Sequence, residues 1–436
     1  MKQPTLFGGA KRLVYDEAID LTLQSLQAYG PNHDHWCVAW SGGKDSSALL
    51  TLIVHLIDVG RISPPKTLTV LYADTRMELL PLAIAARKII EQLTARGIRC
   101  RVVRAPLDKR FLVYILGRGV PPPNNNTLRW CTRQIKVDPM AAAIEDSIGE
   151  LDSLIGHNGG PSLDDLTDAD PTKVLMLTGV RQGESAIRDQ RIVMSCSKDG
   201  AECGQGWYQQ VLPNAKGIRG RIATLAPLLH WRVCNIWDWL HIYAPMREYG
   251  GWATAMIADA YGGDEANEIN ARTGCAGCPL ASKDLALDTI VAMPAWAYLA
   301  PLKGLKPLYR ELRLPKHRLK KTGLARPLLG DVDKDGAPFP EDIIATGKNK
   351  QRMGPLTFEA RLMGLERVLS IQNQINEAAR SIGRPEIDLL NAEEEARIRD
   401  LIAAKTWPNG WDGDEPTGDT PMDMVFGDGS VQPLLV

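Results

Sequence analysis

A short apolar run before a glycine-rich turn is the feature that most constrains the fold of this chain. Residues 36–40 read Trp-Cys-Val-Ala-Trp, and the next seven residues are Ser41-Gly42-Gly43-Lys44-Asp45-Ser46-Ser47. A segment of helical composition then extends to Asp58. A continuous apolar run bounded by a turn is typical of a buried parallel strand. The order strand, turn, helix therefore predicts one βα unit of a parallel sheet.

The composition of this turn predicts a phosphate site. Two glycines let the backbone approach an anion closely, and the following helix directs the positive end of its dipole at the same point. Lys44 adds a positive charge, and the three serines add hydroxyl donors. Asp45 is placed to orient Mg²⁺ or pyrophosphate, and also to cap the helix. The turn differs from the GxxxxGK[ST] loop of kinases and GTPases, which this chain does not match.

Further strands alternate with helices along the first half of the chain. Strands are predicted at 67–72, 99–104 and 173–177, and helices at 14–29 and 79–96. This alternation predicts an α/β fold, a doubly wound parallel sheet, with additional helices on the C-terminal side. Asp74 follows the second strand and Gly179-Val180-Arg181 follows the fourth. Because the carboxyl ends of parallel strands share one edge, Asp74 is placed for a ribose or metal contact and Arg181 for a phosphate contact.

Length and composition indicate several domains. The 436 residues are 44% hydrophobic and 24% charged, which is ordinary for a globular protein of two or three domains. We expect an N-terminal helical extension (1–35), a nucleotide-binding domain (36–240), a cysteine-containing and basic segment (241–330), a helical region (331–407) and a loosely ordered tail (408–436). The N-terminus lacks the apolar core of a signal peptide and no run is long enough to span a bilayer, so a cytoplasmic protein is expected.

The turn at 41–47 resembles the PP-loop of the ATP pyrophosphatase superfamily, whose ATP-using members release pyrophosphate. Three further blocks are similar to the phosphoadenylyl-sulfate (PAPS) reductase group of that superfamily. They are Ala73-Asp74-Thr75 with Glu78, then Arg129-Trp130-Cys131-Thr132 with Lys136 and Pro139, and Gly179-Val180-Arg181 with Glu184-Ser185 and Arg188. The segment from Pro227 to Trp237 resembles a fourth block, and the resemblance covers residues 36–285. The group usually has a Cys-Cys pair where this chain has Trp130-Cys131.

Combined with a late Gly-Cys-x-x-Cys, the Trp-Cys-Thr block is most similar to the DndC/SspD family of DNA phosphorothioation proteins. That resemblance implies ATP and Mg²⁺ as cofactors, a [4Fe–4S] cluster, and adenylylation of a DNA phosphate before sulfur insertion. It implies catalytic roles for Lys44, Asp45, Asp74, Arg181 and Glu184, and nucleotide contacts from residues 41–47, Asp74, Gly179, Arg181 and Arg188. Expected partners are DNA, a cysteine desulfurase as sulfur donor, other DNA-modification subunits and a second copy of the chain.

The eight cysteines are more consistent with thiols or metal ligands than with disulfides. Cys275-Ala-Gly-Cys278 has small residues between its thiols, so both thiolates can turn toward one metal. Four thiolates suit a [4Fe–4S] cluster or tetrahedral zinc, and we expect Cys131, Cys203, Cys275 and Cys278 to supply them, with Cys196 as the rival to Cys203. Core packing is expected for the other three cysteines, Cys37, Cys100 and Cys234.

A basic segment spans residues 303–326. It contains ten basic residues against one acidic residue, Glu311: Lys303, Lys306, Arg310, Arg313, Lys316, His317, Arg318, Lys320, Lys321 and Arg326. Such a segment either neutralises nucleic-acid phosphates or forms a solvated face. Because the net charge is −1, any nucleic-acid surface must be local.

Three alternative functions fit parts of the pattern. A PAPS reductase uses a C-terminal catalytic cysteine, and no cysteine follows Cys278. A tRNA thiolation enzyme requires an RNA-binding module, which the sequence does not display. A non-catalytic member would bind DNA or partner subunits, and the intact loop at 41–47 argues against it.

Overall fold

A computed structural model describes residues 14–124, 129–157, 174–183, 189–190, 206–209, 222–262, 274–321, 336–338, 352–425 and 431–433. The chain forms two compact units. Unit 1 comprises residues 1–104, 136–275 and 288–293, and unit 2 comprises residues 105–135, 276–287 and 294–436. Each unit is assembled from separated segments, and the five consecutive segments expected from the sequence stay a prediction.

The strands and helices have the following bounds. Strands are β1 (His35–Trp40), β2 (Thr67–Ala73), β3 (Arg99–Val103), β4 (Val174–Thr178), β5 (Trp207–Gln209), β6 (Ile222–Ala226), β7 (Arg318–Lys320), β8 (Met353–Leu356), β9 (Met424–Val425) and β10 (Val431–Gln432). Helices are α1 (Tyr15–Tyr29), α2 (Lys44–Asp58), α3 (Leu80–Ala95), α4 (Trp130–Thr132), α5 (Asp138–His157), α6 (Val233–Asp238), α7 (Ala255–Asp259), α8 (Leu285–Ala292), α9 (Leu305–Glu311), α10 (Phe358–Ser381) and α11 (Ala392–Ala403).

Unit 1 contains a six-stranded sheet in the order β3-β2-β1-β4-β6-β5. Neighbouring strands pair in parallel, except that β5 runs antiparallel to β6. The predicted α/β class and the parallel sheet are confirmed, and the four predicted strands match β1 to β4 within a residue or two. Strand β6 and the antiparallel edge strand β5 were not predicted.

The strand order reverses between β1 and β4. From β1 the chain moves outward through β2 and β3, and it returns to place β4 and then β6 on the other side of β1. In open α/β sheets, ligands bind in the crevice outside the carboxyl ends of the strands at such a switch point. The loop at 41–47 follows β1 and Gly179 follows β4, so both lie at this point.

Burial explains why these segments form their elements. In β1, Val38 and Trp40 are buried, and α2 buries Leu49, Leu50 and Leu52 completely. Burying an apolar side chain of this size contributes about 1.5–3 kcal/mol relative to exposure. Because α2 is apolar on nearly every side, it can exist only as an inner helix against the sheet.

Unit 2 is organised around α10 and α11. Arg361 of α10 is fully buried, and its guanidinium donates to the carbonyl oxygens of Gly117 (3.2 Å), Thr406 (2.8 Å) and Leu356 (3.3 Å). The guanidinium carbon of Arg361 also lies 4.3 Å from the ring centroid of Trp407, in a cation–π contact. One cation thus ties three separate segments of unit 2 together.

Part of the segment expected to be a loosely ordered tail is held by hydrogen bonds. The amide of Lys320 donates to the carbonyl of Pro416 (2.8 Å), and the amide of Gly418 donates to the carbonyl of Arg318 (2.8 Å). Lys321 also forms an ion pair with Glu415. The expectation is therefore wrong for these residues, because β7 offers its free edge to them.

Candidate active site

The turn at 41–47 has the backbone that its glycines predict. Gly42 has a φ of +72°, and Gly43 is the residue immediately before α2. A Cβ on Gly42 would stand 3.3 Å from the ring of Tyr72. The left-handed φ and the close ring both favour glycine at position 42.

The serine hydroxyls shape this turn. Ser46 Oγ accepts from the amide of Ser41 (3.2 Å) and donates to the carbonyl of Gly43 (3.2 Å). Ser47 Oγ is fully buried and accepts from the indole of Trp40 (2.9 Å). The hydroxyls of Ser46 and Ser47, which the sequence suggested as donors to an anion, are thus engaged within the loop and its strand.

Three charged side chains converge beside the turn. Asp45 accepts from Nε of Arg181 through Oδ1, and its Oδ2 lies 3.2 Å from Nζ of Lys44. The side chains of Lys44, Asp45 and Arg181 are 7%, 14% and 5% exposed. Two buried cations against one carboxylate leave a net positive charge at the first turn of α2. An anion is the ligand that this arrangement favours.

The packing around Asp45 limits its possible roles. Both of its oxygens face a cation, so it holds Lys44 and Arg181 in position rather than presenting an open ligand for Mg²⁺. As a donor set for Mg²⁺, the described residues at this turn therefore do not fit without displacement of Arg181. The contacts favour a role in holding these two cations, and the predicted role of Asp45 in orienting Mg²⁺ or pyrophosphate stays a prediction.

Gly179 is required by the close approach of β4 to α2. A Cβ at this position would lie 2.8 Å from the carbonyl carbon of Asp45 and 2.8 Å from the amide nitrogen of Ser46. Contacts this short with backbone atoms cannot be relieved by a side-chain rotation. The sequence analysis linked Gly179 to nucleotide binding. In the structure, Gly179 allows β4 to pass close to the loop, and this places Arg181, two residues later, beside Asp45.

Tyr261 is a site residue that the sequence did not indicate. Its hydroxyl accepts from the backbone amide of Lys44 (3.2 Å), and the Lys44 ammonium stands 4.8 Å from its ring centroid. Tyr261 is 217 residues away from Lys44 in sequence and belongs to none of the motifs described above. The one signal in the sequence is that an aromatic residue follows α7. The Tyr261 oxygen thus accepts the hydrogen bond that the amide of Lys44 would donate to a bound phosphate.

Asp74 is engaged within its own turn. Its Oδ1 accepts from the amide of Arg76 (2.9 Å), and its Oδ2 accepts from Nε of Arg104 (2.6 Å). Arg76 has a φ of +64°, which is unusual for a residue with a side chain. Among the described residues, these contacts give Asp74 a structural role, and a ribose or metal contact stays a prediction.

Glu78 is also part of this turn. It accepts from both the amide (2.9 Å) and the hydroxyl (2.6 Å) of Thr75. Burial raises the pKa of Glu78, the Thr75 hydrogen bonds act in the opposite direction, and Asp74 raises it further. Glu184 and Arg188, which the sequence also assigned to the site, lie outside the described residues.

The cysteines divide into two groups. In unit 2, Cys131 is buried at α4, and Cys278 is half-buried. Burial raises the pKa of Cys131, hydrogen bonds with Thr132 oppose this, and the nearby Cys278 adds a smaller increase. Cys278 is thus close enough to Cys131 to act on its charge within unit 2, and the four-cysteine ligand set stays a prediction.

The turn between Cys275 and Cys278 depends on Gly277. Its φ is +64°, and a Cβ there would lie 2.6 Å from Cβ of Leu305. Cys275 lies three residues before Cys278, while Cys203 and Cys196 fall outside the described residues. Within the described part of the chain, no group of three or more His, Cys, Asp or Glu side chains is assembled for a metal.

The remaining cysteines were expected in the core. Cys37 packs in the core of unit 1, where burial raises its pKa to about 12. Cys100 is half-buried, and burial raises its pKa to about 11. Cys234 is exposed, so the expectation of core packing is wrong for this residue. It occupies the second position of α6, on the side that faces solvent.

The basic segment is not a uniform charged face. Arg318 donates to the carbonyl of Gly354 (2.9 Å), and burial followed by the charge of Arg313 lowers its pKa. Lys316 and Arg310 are exposed, whereas Arg326 lies outside the described residues. Arg318 therefore has an internal contact within unit 2, and contact of the basic segment with DNA stays a prediction.

None of the helices in the described part of the chain is long and apolar enough to cross a membrane.

Comparison with known families agrees with the geometry of unit 1. Residues 35–244, just under half of the chain, match the phosphoadenosine phosphosulfate reductase domain. This segment is therefore similar to that domain. The matched span contains the turn at 41–47 and Arg181 and ends before Tyr261. No curated protein matches the chain.

Three solved structures are similar to parts of the fold. PAPS reductase from Candida auris, in a phosphate complex, is 12% identical with a TM-score of 0.28, covering 53% of this chain and 88% of its own. Candida glabrata FMN adenylyltransferase, bound to FMN and the ATP analog AMPCPP, is 17% identical with a TM-score of 0.28, covering 52% and 56%. The U34-tRNA thiolase NcsA from Methanococcus maripaludis, with its [4Fe–4S] cluster, is 11% identical with a TM-score of 0.27, covering 80% and 98%. Scores this low say nothing about activity.

Proposed function

We propose that the chain is an ATP pyrophosphatase that adenylylates a phosphate of DNA and thereby prepares it for replacement of an oxygen by sulfur. The proposal that the chain binds ATP is supported by the convergence of Lys44, Asp45 and Arg181 at the sheet's switch point. The DNA and sulfur half rests on the resemblance of the Trp130-Cys131-Thr132 and Cys275-x-x-Cys278 blocks to phosphorothioation proteins.

In the first step, the turn binds the pyrophosphate portion of ATP. The amides at the start of α2 and the ammonium of Lys44 face the anion, and Arg181 supplies a second cation. A non-bridging oxygen of the substrate phosphate attacks the α-phosphorus of ATP, and the bond to the bridging oxygen of pyrophosphate breaks. Negative charge accumulates on the leaving group, and fixed cations and amides stabilise it.

In the second step, a sulfur nucleophile at the oxidation level of sulfide attacks the substrate phosphorus. AMP leaves and carries the original oxygen with it. A cysteine desulfurase is the proposed source of the sulfur, which it supplies as a persulfide. A thiol reductant provides the two electrons that convert this sulfane sulfur to the sulfide level, and the thiol leaves as a disulfide. ATP would be bound with Mg²⁺, which neutralises phosphate charge when present.

The cysteines are proposed to hold an iron–sulfur cluster. Cys131 and Cys278, which influence each other in unit 2, together with Cys275 and the predicted Cys203, would supply four thiolates. The chemistry of this donor set suits a [4Fe–4S] cluster, whose role would be to bind or deliver sulfur.

Pyrophosphate release tests the nucleotide half. Wild type should release pyrophosphate from ATP in the presence of Mg²⁺, and Lys44→Ala should lower the rate by about a hundredfold, because one stabilising charge is lost. Lys66→Ala is the matched control: this lysine is exposed and pairs with Asp34 at the start of β2, at the opposite edge of the sheet. Equal rates in Lys44→Ala and wild type would exclude the turn as the nucleotide site.

Anaerobic purification tests the cysteine half. A brown protein containing iron and acid-labile sulfide, with iron lost in Cys278→Ser and retained in Cys234→Ser, is the expected result. Cys234 is the matched control because it is exposed on α6. A colourless zinc protein would contradict the cluster.

A further inference from the structure

Unit 2 contains a pocket that no part of the proposed function uses. It has a volume of about 300 Å³ and lies between α9 and the residues that follow Cys278. Its side chains include Asn124, Ser282, Lys306, Arg310 and Arg313, and none of the described residues that line it is acidic. A volume of this size is at the lower end of the range for small-molecule sites.

Lys306 is the strongest indication that the pocket takes an anion. Its Nζ is buried and makes no hydrogen bond to the described residues. A buried ammonium without an acceptor is costly, and proteins normally neutralise it, pair it or bind a ligand to it. The lining offers no carboxylate for pairing.

Two arginines add positive charge at the same place. Arg313 donates to the carbonyls of Pro122 (3.3 Å), Pro123 and Pro279 (3.4 Å), which are neutral acceptors. Its charge is thus not cancelled, and burial followed by the neighbouring Arg310 lowers its pKa. Like charges held side by side are destabilising unless an anion lies between them.

The pocket adjoins the cysteine turn. Pro279, which directly follows Cys278, is part of its wall, and Arg313 contacts the carbonyl of the same proline. Asn124 forms another part of the wall, and the two prolines before it, Pro122 and Pro123, are held through their carbonyls by Arg313. Arg313 therefore fixes the wall that lies next to Cys278.

We propose that this pocket is a phosphate subsite, in which Lys306 and Arg310 bind a tetrahedral phosphate group beside Cys278. Asn124 and Ser282 supply neutral polar groups at its edge. The group can belong to a free phosphate or to a nucleic-acid backbone. That the phosphate group belongs to a nucleic acid rests on the proposed function. The preference of the pocket for an oxyanion does not.

Binding of inorganic phosphate to the full chain tests the subsite, measured by calorimetry at low salt. Because the turn at 41–47 also favours phosphate, the titration is done in the Lys44→Ala background. Phosphate should bind there, and adding Lys306→Met should weaken binding by about tenfold or more, since a charge-assisted contact is lost. Adding Lys109→Met, an exposed lysine of unit 2 outside the pocket, should leave binding unchanged.

Thermal unfolding gives a second readout. Phosphate should raise the Tm of Lys44→Ala through preferential binding to the folded state, and this increase should be clearly smaller with Lys306→Met at the same phosphate concentration. Without phosphate, Lys306→Met should unfold at a higher temperature than its parent, because an unpaired buried charge is removed. Arg310→Gln, an exposed position that should fold normally, is the second variant for the binding measurement.

A dinucleotide with one phosphodiester distinguishes the source of the group. Competition between the dinucleotide and phosphate would support a backbone phosphate, and phosphate binding without competition would support a free anion. Phosphate binding that is equally strong with and without Lys306→Met, or absent from Lys44→Ala, would overturn the subsite. Neither result depends on whether wild type releases pyrophosphate, so the two proposals can fail separately.

Discussion

Arg181 donates through Nε to Oδ1 of Asp45, although 136 residues separate them in sequence. Arg181 follows β4 and Asp45 lies in the first turn of α2, so the bond joins the two elements that flank the sheet's switch point. Both side chains are largely buried. The pair thus contributes to the shape of the turn as well as to its charge.

The first prediction concerns the coupling of this pair. Asp45→Asn should lower the free energy of unfolding by about 3 kcal/mol, because it leaves the buried Arg181 and Lys44 without a carboxylate. Arg181→Met should cost less, because Lys44 remains beside Asp45. The double variant should lose less than the sum, and urea denaturation of the four proteins measures the difference. For comparison, removal of the exposed Lys66–Asp34 pair should cost under about 1 kcal/mol. Additive losses at Asp45 and Arg181 would show that the bond contributes nothing.

The second prediction concerns Gly179. Gly179→Ala should destabilise unit 1 by about 1–3 kcal/mol, because its Cβ would overlap the backbone of Asp45 and Ser46. Gly149→Ala is the control, since Gly149 lies in α5 and a methyl group added there would meet nothing within 4 Å. That substitution should stabilise by about 0.5–1 kcal/mol, and thermal unfolding of both variants is the measurement. A stable Gly179→Ala would contradict the close approach.

The third prediction concerns Tyr261. Its hydroxyl accepts from an amide that a bound phosphate would also use. Tyr261→Phe removes that acceptor while keeping the ring beside Lys44, so ATP should bind about three- to tenfold more tightly, the equivalent of one ordinary hydrogen bond. Equilibrium binding of ATP checks this, with Tyr243→Phe, a tyrosine stacked on Tyr15, as control. Weaker binding in Tyr261→Phe would mean that the hydroxyl contacts the nucleotide instead.

The fourth prediction concerns pH. Because burial raises the pKa of Glu78, the folded state holds its proton more tightly than the unfolded state does. Stability from this group is therefore fully present below the usual glutamate range and is lost as the pH rises through the raised value. Glu78→Gln should flatten the decline of Tm over that interval while keeping an acceptor for Thr75. An unchanged pH profile would contradict the role of burial.

The fifth prediction concerns Arg361 in unit 2. Arg361→Met removes the donor to three buried carbonyl groups, so the free energy of unfolding should fall by about 3 kcal/mol. Arg367→Met on the same helix removes only an exposed pair with Glu311 and should cost under about 1 kcal/mol. Denaturant titration of both variants, monitored by tryptophan fluorescence, measures the two losses. Trp407 contacts Arg361 and therefore reports on this part of unit 2. Similar losses of stability in both variants would contradict the role of Arg361 in joining these segments of unit 2.

Local patterns predicted the elements of unit 1 well. The apolar run at 36–40 and the strand at 67–72 depend on neighbouring residues, and both formed where expected. Edge strand β5 was missed because three residues carry too little periodicity to distinguish a strand from a loop. The tail residues near Pro416 were misjudged for a related reason, since their pairing partner lies about a hundred residues earlier in β7.

Charge composition was a weaker guide than periodicity. The basic segment suggested a single face, yet Arg313 and Arg318 hold backbone carbonyls within unit 2. Cys234 suggested a core position because it lies in a helix, but the side of the helix on which it falls depends on what packs there. Residue type alone does not decide between a surface contact and an internal tie.

The sequence by itself determined that β1, the turn at 41–47 and α2 form one strand–turn–helix unit, because the apolar run, the glycine conformation and the helix start act within a few residues. Only the tertiary structure decided which distant groups complete it. Arg181 and Tyr261 reach the turn because β4 lies next to β1 and because the chain returns after α7. The proximity of Cys131 to Cys278, and the charged pocket beside them, likewise arise from the packing of unit 2. Contacts between residues a hundred or more positions apart depend on the whole fold, and no local pattern encodes them.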